Sequence, residues 1–193
     1  MRIQAEQQLT WFAEAVDQVE PFLLSDDVFR SLGGLSLLPR QDLSLGTLIL
    51  AADVLGATEV PLSQADRARA AGLLQRWEGI SSKVPAALDR KAMAEARQRA
   101  NLWNAYARDL LDSRREAARY PAEVRHRVAL ERLLERLLDD ESAGTTRAGA
   151  RLGDDVVRSL LHNGPFVWDL FLEEVYPPEP YWFLYGIPRA SDG

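Results

Sequence analysis

Between Pro85 and Ala118 the chain contains no glycine and no second proline, in a run rich in Ala, Arg and Glu. Nothing there stops a helix, and at 1.5 Å per residue such an element is about 50 Å long. A helix of that length in a 193-residue chain either kinks or forms the spine of a bundle. Tyr120-Pro121 marks the turn that follows, since proline suits the first position of a new helix. Val124, Val128, Leu130, Leu134, Leu137 and Leu138 then recur at helical spacing, so 121–139 reads as the second arm of a long helical hairpin.

The rest of the chain is largely legible in the same way. Over 3–20, Leu9, Phe12, Val16 and Val19 share one helical face, and Pro21 is expected to end it. Ser25-Asp26-Asp27 reads as the cap of a short helix that stops at Gly33-Gly34, with Leu35–Arg40 as a connector. Asp42–Gly56 alternates like a strand over Leu43, Leu45, Thr47 and Ile49, but its alanines and its length favour a helix. Ser63-Gln64-Ala65-Asp66 resembles a capping box, and Ala70, Leu73, Leu74, Trp77 and Ile80 form one face of a helix over 64–80. Residues 139–153 gather Ser142, Gly144, Thr145, Thr146, Gly149 and Gly153, which reads as a flexible linker open to protease at 141–149. Asp154–His162 is expected to be helical, with His162 in its last turn and Asn163-Gly164-Pro165 ending it. A short helix over 166–175 completes the set.

The C-terminal piece is different. Tyr176–Pro188 holds Tyr176, Tyr181, Trp182, Phe183 and Tyr185 together with Pro177, Pro178, Pro180 and Pro188. Such proline density forbids a long helix and favours an extended strap. Its rings cannot cheaply remain in water, so the strap either packs on the protein's own helices or docks another chain. The expected architecture is an all-α bundle of about six or seven helices, one helical domain over 1–175 and an arm over 176–193 packed on it. No repeat period and no sustained heptad pattern argue for a solenoid or an extended coiled coil.

Composition narrows function mainly by exclusion. The chain has no cysteine, which removes disulfides, Cys-ligated metals and thiol catalysis. The longest apolar run, Leu43–Ala52, is ten residues between two aspartates, against about 20 for a membrane span. The N-terminus shows a single Arg before a polar stretch and no apolar leader core, so a cytoplasmic address is expected. Twenty-three basic and 29 acidic residues give a net charge of −6, but unevenly. Residues 64–136 are net +6, while 1–63 and 137–193 are each net −6. Either the acidic ends pack beside a basic spine, or part of that spine meets an anionic partner.

Four side chains on the spine stand out. Arg97, Asn101, Asn104 and Arg108 fall on one helical stripe, and asparagine is a poor helix former that invites a reason. They form either a polar seam between helices or a track for a partner. With Tyr181, Trp182 and Tyr185 of the strap they are the candidate partner-binding residues. Glu123-Val124-Arg125-His126 supplies one Glu-x-x-His step of the kind a di-metal bundle uses twice. The other histidine, His162, has Ser159 at the matching place, so no metal and no cofactor is expected. Phosphate-binding loops, dinucleotide fingerprints, nucleophile elbows and His-Glu-x-x-His steps are all missing from the sequence. The expectation is therefore a non-catalytic cytoplasmic interaction or adaptor protein that binds another protein or itself. The alternatives are a nucleic-acid-associated regulator using the basic helices, or an enzyme with a carboxylate or histidine site in the bundle.

Overall fold

The computed structural model describes residues 5–32, 42–137 and 141–189. The fold is mostly α-helical: six α-helices and one two-stranded sheet are seen among the described residues. These residues divide into two units, one running up to Glu95 and the other from Ala96 onward.

In the first unit, α1 (Ala5–Leu23), α2 (Leu45–Gly56) and α3 (Gln64–Ser81) pack on one another. Helix α1 buries Leu9, Phe12, Val16 and Val19 as their spacing requires. It does not stop at Pro21, because burial of Phe22 and Leu23 carries the last turn through the proline. Ser25–Asp27 forms turns rather than a short helix. Lys91 donates from Nζ to the carbonyls of Ser25 at 2.7 Å and Asp27 at 2.5 Å. Those acceptors would otherwise face N–H groups of a following helical turn, so the lysine competes directly with helix propagation. The expected stop at Gly33-Gly34 and the connector at 35–40 lie outside the described residues.

The ambiguous stretch resolves as helix α2. Ser44 caps it reciprocally with Thr47, each side chain accepting from the other's backbone N–H. Glu95, fully buried, accepts from Ser44 Oγ at 2.7 Å and from the Gly46 N–H at 2.9 Å. A carboxylate at a helix N-terminus satisfies orphan donors and meets the positive end of the dipole. Helix α3 starts on Ser63, whose hydroxyl accepts from the Asp66 N–H, and buries Ala70.

Helix α4 (Pro85–Asp112) begins in the first unit and ends in the second. It stops short of Ala118: residues 114–119 tighten into a 3-10 turn that leads into α5 (Tyr120–Arg136). That turn seats the fully buried Tyr120 ring 6.4 Å from Trp103 and 6.3 Å from Tyr106. Helix α5 accounts for the hairpin's second arm as far as Arg136; Leu138 and Asp139 lie outside the described residues.

The largest departure from expectation follows. Residues 141–160 are not a linker but a helix, α6 (Glu141–Leu160). Glycine costs roughly 1 kcal/mol against alanine inside a helix, so α6 is poor by propensity. Tertiary bonds hold it. Asn104 donates from Nδ2 to the Gly149 carbonyl at 2.8 Å and accepts at Oδ1 from the Gly153 N–H at 2.9 Å. Its carboxamide thus spans two positions one helical turn apart. A Cβ at Gly153 would stand 2.7 Å from both Asn104 Oδ1 and Trp103 Cδ1, which explains the glycine there.

Beyond α6 the chain forms strand β1 (Leu161–Asn163), antiparallel to β2 (Gly186–Pro188). His162 is therefore opposite Ile187 in a ladder, not in a last helical turn, and Asn163-Gly164-Pro165 leaves a strand rather than a helix. Gly186 has φ +154°, and a Cβ there would fall 2.0 Å from the His162 carbonyl oxygen. Residues 166–175 make only a 3-10 turn at Leu170–Leu172, because Trp168 is anchored elsewhere through Nε1 to the Pro121 carbonyl at 3.1 Å.

The strap folds onto its own unit. Tyr176, Tyr181, Phe183 and Leu184 are buried. Edge-on ring contacts run from Trp168 through Tyr176 and Tyr181 to Phe183 and Trp182. Tyr120 donates its hydroxyl to the Phe183 carbonyl at 2.5 Å. Removing residues after Val175 should therefore lower the melting temperature sharply and abolish near-UV dichroism, a loss of several kcal/mol on the scale of large core deletions. An unchanged melt would show that the strap contributes nothing to the fold. Gly153→Ala should destabilise by about 1–3 kcal/mol through overpacking against Trp103 and Asn104, measured by urea unfolding.

Candidate functional site

The stripe on α4 is split by the structure. Asn104 turns into the α4–α6 contact and is consumed by backbone groups of α6. Arg97, Asn101 and Arg108 remain exposed. Neither arginine forms an ion pair among the described residues; Arg108 makes one bond, from Nε to the Asn104 carbonyl at 3.3 Å. The heptad step that links Arg97 to Asn104 continues to Leu111, which is 51% exposed. On α6, Leu152 shares the face of Gly149 and is 63% exposed. Two unpaired guanidinium groups, an amide and two leucines thus edge the seam that Asn104 fixes. The sequence pointed to the polar members of this edge but not to its leucines, although the spacing of Leu111 was there to be read.

The strap residues are differently employed. Tyr181 is buried and donates to Glu135 Oε1 at 2.6 Å; burial, then the bond to Glu135, raises its pKa well above the ordinary phenol value. Tyr185 donates to the Tyr176 carbonyl at 2.8 Å, and Arg158 stacks 4.0 Å over the Trp182 ring. All three make contacts within their own unit; Tyr181 is buried, whereas Trp182 and Tyr185 are part-exposed.

Behind the seam lies a polar core. Asp154 accepts from Trp103 Nε1 at 2.9 Å and from Arg127 Nε at 2.8 Å and Nη2 at 3.1 Å. Arg127 also donates to Glu131 at 2.8 Å and stacks 4.7 Å over Phe183. Each of the three Arg127 guanidinium nitrogens thus donates to a carboxylate, and Asp154 takes a further bond from Trp103.

The Glu-x-x-His step also has an internal use. Arg99, buried at 4% exposure, donates from Nη1 to His126 Nδ1 at 2.7 Å. His126 Nε2 stands 3.7 Å from Glu123 Oε2, and Glu123 is paired with Arg119 at 2.5 Å. Burial, with Arg99 and Arg125 nearby, pushes the His126 pKa down to about 4. Among the described residues no cluster of three or more His, Asp or Glu is placed to hold a metal ion.

The first unit has a cavity of about 230 Å³ lined by Leu23, Leu24, Asp26, Val28, Arg90 and Lys91. Lys91 lies 4.4 Å over the Phe22 ring, and burial lowers its pKa. Both carbonyl bonds of its ammonium hold the 25–27 turn, so the amine is occupied by structure. No described helix is long and apolar enough to cross a membrane. Comparison with protein-family models, curated proteins and solved structures returns no match for this chain.

Stability should respond to acid through His126. The unfolded ring takes its proton near 6.5, but the folded chain refuses it until about 4. Above pH 6.5 the ring is neutral in both states and its contribution is whole. As pH falls from 6.5 toward 4 the unfolded state alone gains a proton, and stability declines by about 2–3 kcal/mol. Urea unfolding of wild type and His126→Gln across that range should show the decline in the former and a flatter curve in the latter. Equal slopes would assign the acid lability to other groups.

Proposed function

We propose that the chain is a cytoplasmic, non-catalytic interaction protein whose second unit presents the Arg97–Asn101–Arg108 edge to an acidic, partly apolar segment of another protein. The supporting observation is the division of labour on α4. Of four stripe residues, one is spent on α6 and three face outward, with both arginines unmatched by any carboxylate among the described residues. Arginine is favoured in interfaces because its fork binds carboxylates bidentately and its stem lies on apolar surface. Leu111 and Leu152 supply such surface at the same edge. Single exposed leucines are ordinary; two beside two unpaired arginines form a mixed patch suited to an amphipathic acidic helix. Arg97 and Arg108 are eleven residues apart, about 16 Å along the helix, which sets the spacing of the partner's acids.

A second reading, nucleic acid along the same edge, is favoured by the net charge of +6 over 64–136. Phosphate contacts would require a binding constant that falls steeply with salt. The test is the double variant Arg97→Glu/Arg108→Glu, with Leu152→Asp as a separate apolar probe. Both substitutions lie on exposed positions, so the melting temperature should stay within about 1–2 °C. Affinity capture from cell extract, read by mass spectrometry, should lose the same proteins in both variants. Recovery unchanged by either variant would overturn the proposal. Salt-dependent retardation of duplex DNA that disappears in the charge variant but survives Leu152→Asp would favour the second reading.

A further inference from the structure

In the first unit, the turn after α1 and the early turns of α4 leave between them the cavity of about 230 Å³. Of the residues that line it, Leu23 and Lys91 are buried and Val28 and Ala94 half-buried, while Leu24, Asp26 and Arg90 are exposed. The cavity is therefore a crevice that reaches from the interior to the surface, with aliphatic carbon in its wall. Leu24 is 65% exposed, a leucine kept in water beside an apolar recess.

The ionised groups around the crevice do not cancel. Asp27 is paired with Arg30 at 2.9 Å. Lys91 donates to the carbonyls of Ser25 and Asp27, at 2.7 and 2.5 Å, and lies 4.4 Å over the Phe22 ring. Its donors are spent, but its charge remains. Those two carbonyls flank Asp26, so the turn that carries this carboxylate is fixed against Lys91. One carboxylate, Asp26, thus faces two cations, Lys91 and Arg90, around a single cavity. Among the described residues the Arg90 side chain makes no ion pair and no hydrogen bond. Arg69 is exposed and without an ion pair as well, but Arg90 differs in standing at a recess with carbon in its wall.

We propose that this crevice binds a small aliphatic monocarboxylate, with the carboxylate on the Arg90 fork and the chain against Leu23, Leu24, Val28 and Ala94. A guanidinium takes two carboxylate oxygens in parallel, and a single negative charge balances the surplus of one cation. A phosphate group carries close to two charges and brings no carbon for the wall. A neutral hydrocarbon would leave the arginine unanswered. The volume equals about seven waters at roughly 30 Å³ each, which is room for a branched chain of about six carbons. It lies below the roughly 300–1,000 Å³ of pockets for drug-sized ligands, so the ligand is small. The site belongs to the first unit and is independent of the function proposed for the second.

The experiment is calorimetric titration of the full chain with 4-methylpentanoate at neutral pH, with thermal unfolding in the same ligand as a second reading. Wild type should bind saturably and melt higher as the ligand is added. It should bind two relatives more weakly: 4-methylpentanamide, which keeps the chain and loses the charge, and acetate, which keeps the charge and loses the chain. Arg90→Gln should weaken binding of the carboxylate about tenfold or more, the worth of a charge-assisted hydrogen bond. It should leave the melting temperature of the free protein within about 1–2 °C, since the exposed fork bonds to nothing in the fold. Ala94→Leu fills the wall and should weaken binding too, whereas Arg69→Gln on α3 should not. Neither saturable heat nor a rise in melting temperature with wild type would overturn the proposal. So would equal affinity for the amide or for acetate, or an affinity kept by either Arg90→Gln or Ala94→Leu.

Discussion

The second unit is organised around the side chain of Asp154. Its carboxylate is bound by Trp103 of α4 and by two nitrogens of Arg127 of α5, and it stands on α6. Arg127 then carries the network to Glu131 and, through its flat face, to Phe183 of the strap. One ion pair thus touches four parts of the chain that are far apart in sequence. Desolvating two charges is expensive, and a buried pair repays that cost only when its remaining donors and acceptors are satisfied. Here they are. Losing either partner would strand the other charge, which typically costs 3–5 kcal/mol. The pair therefore specifies how α4, α5, α6 and the strap dock, even if hydrophobic burial supplies more of the stability.

The first unit uses the same device in smaller form. Glu95 is buried and brings its carboxyl group to the N-terminus of α2, where Ser44 and the Gly46 N–H bind it. Lys91, one helical turn earlier, ties down the turn after α1 by its carbonyls. Both residues belong to the long run from Pro85, which by composition looks like an ordinary solvated helix. Its charged residues are partly interior, which is the reason its apolar pattern is sparse for so central an element.

This distribution explains what could be read from the chain and what could not. Helices α1, α3 and α5, and α4 as far as Asp112, announce themselves by period and by caps such as Ser63, because local sequence and burial agree there, whereas the stretch of α2 reads both as strand and as helix until its buried cap is seen. Helix α6 does not. Gly144, Thr145, Thr146, Gly149 and Gly153 score as a linker on any local scale, and they form a helix because Asn104 bonds to its backbone, and Trp103 and Arg127 to its Asp154, from outside. The same is true of Ser25-Asp26-Asp27, where a lysine 64 residues away from Asp27 overrides a respectable cap. Of the site residues, Arg97, Asn101 and Arg108 were legible as a stripe; that Asn104 turns away from them was not, since spacing gives a face but not a rotamer. The strap's aromatic density marked it for burial, and Tyr181, Trp182 and Tyr185 are used inside it.

The charge asymmetry along the chain now has a physical reading. Much of the basic excess over 64–136 answers needs of the fold. Arg127 meets Asp154 from the acidic C-terminal segment, Arg76 meets Asp17 from the acidic N-terminal one, and Arg67 binds the carbonyls of Val60 and Leu62. Among the described residues the remainder is spread over several elements, since Arg69, Lys83, Arg90 and Arg115 also make no ion pair. Among the described residues Arg97 and Arg108 lie outward without carboxylates, and Arg125 lies partly inward without an ion pair. An exposed arginine costs a folded chain little, so the first two could be retained by drift alone; the two leucines beside them make the stronger case. A half-buried, unmatched arginine is another matter, because the fold bears its desolvation continuously. For the outward pair, the proposed partner is a surface whose acids are spaced to reach both arginines, about 16 Å apart along α4.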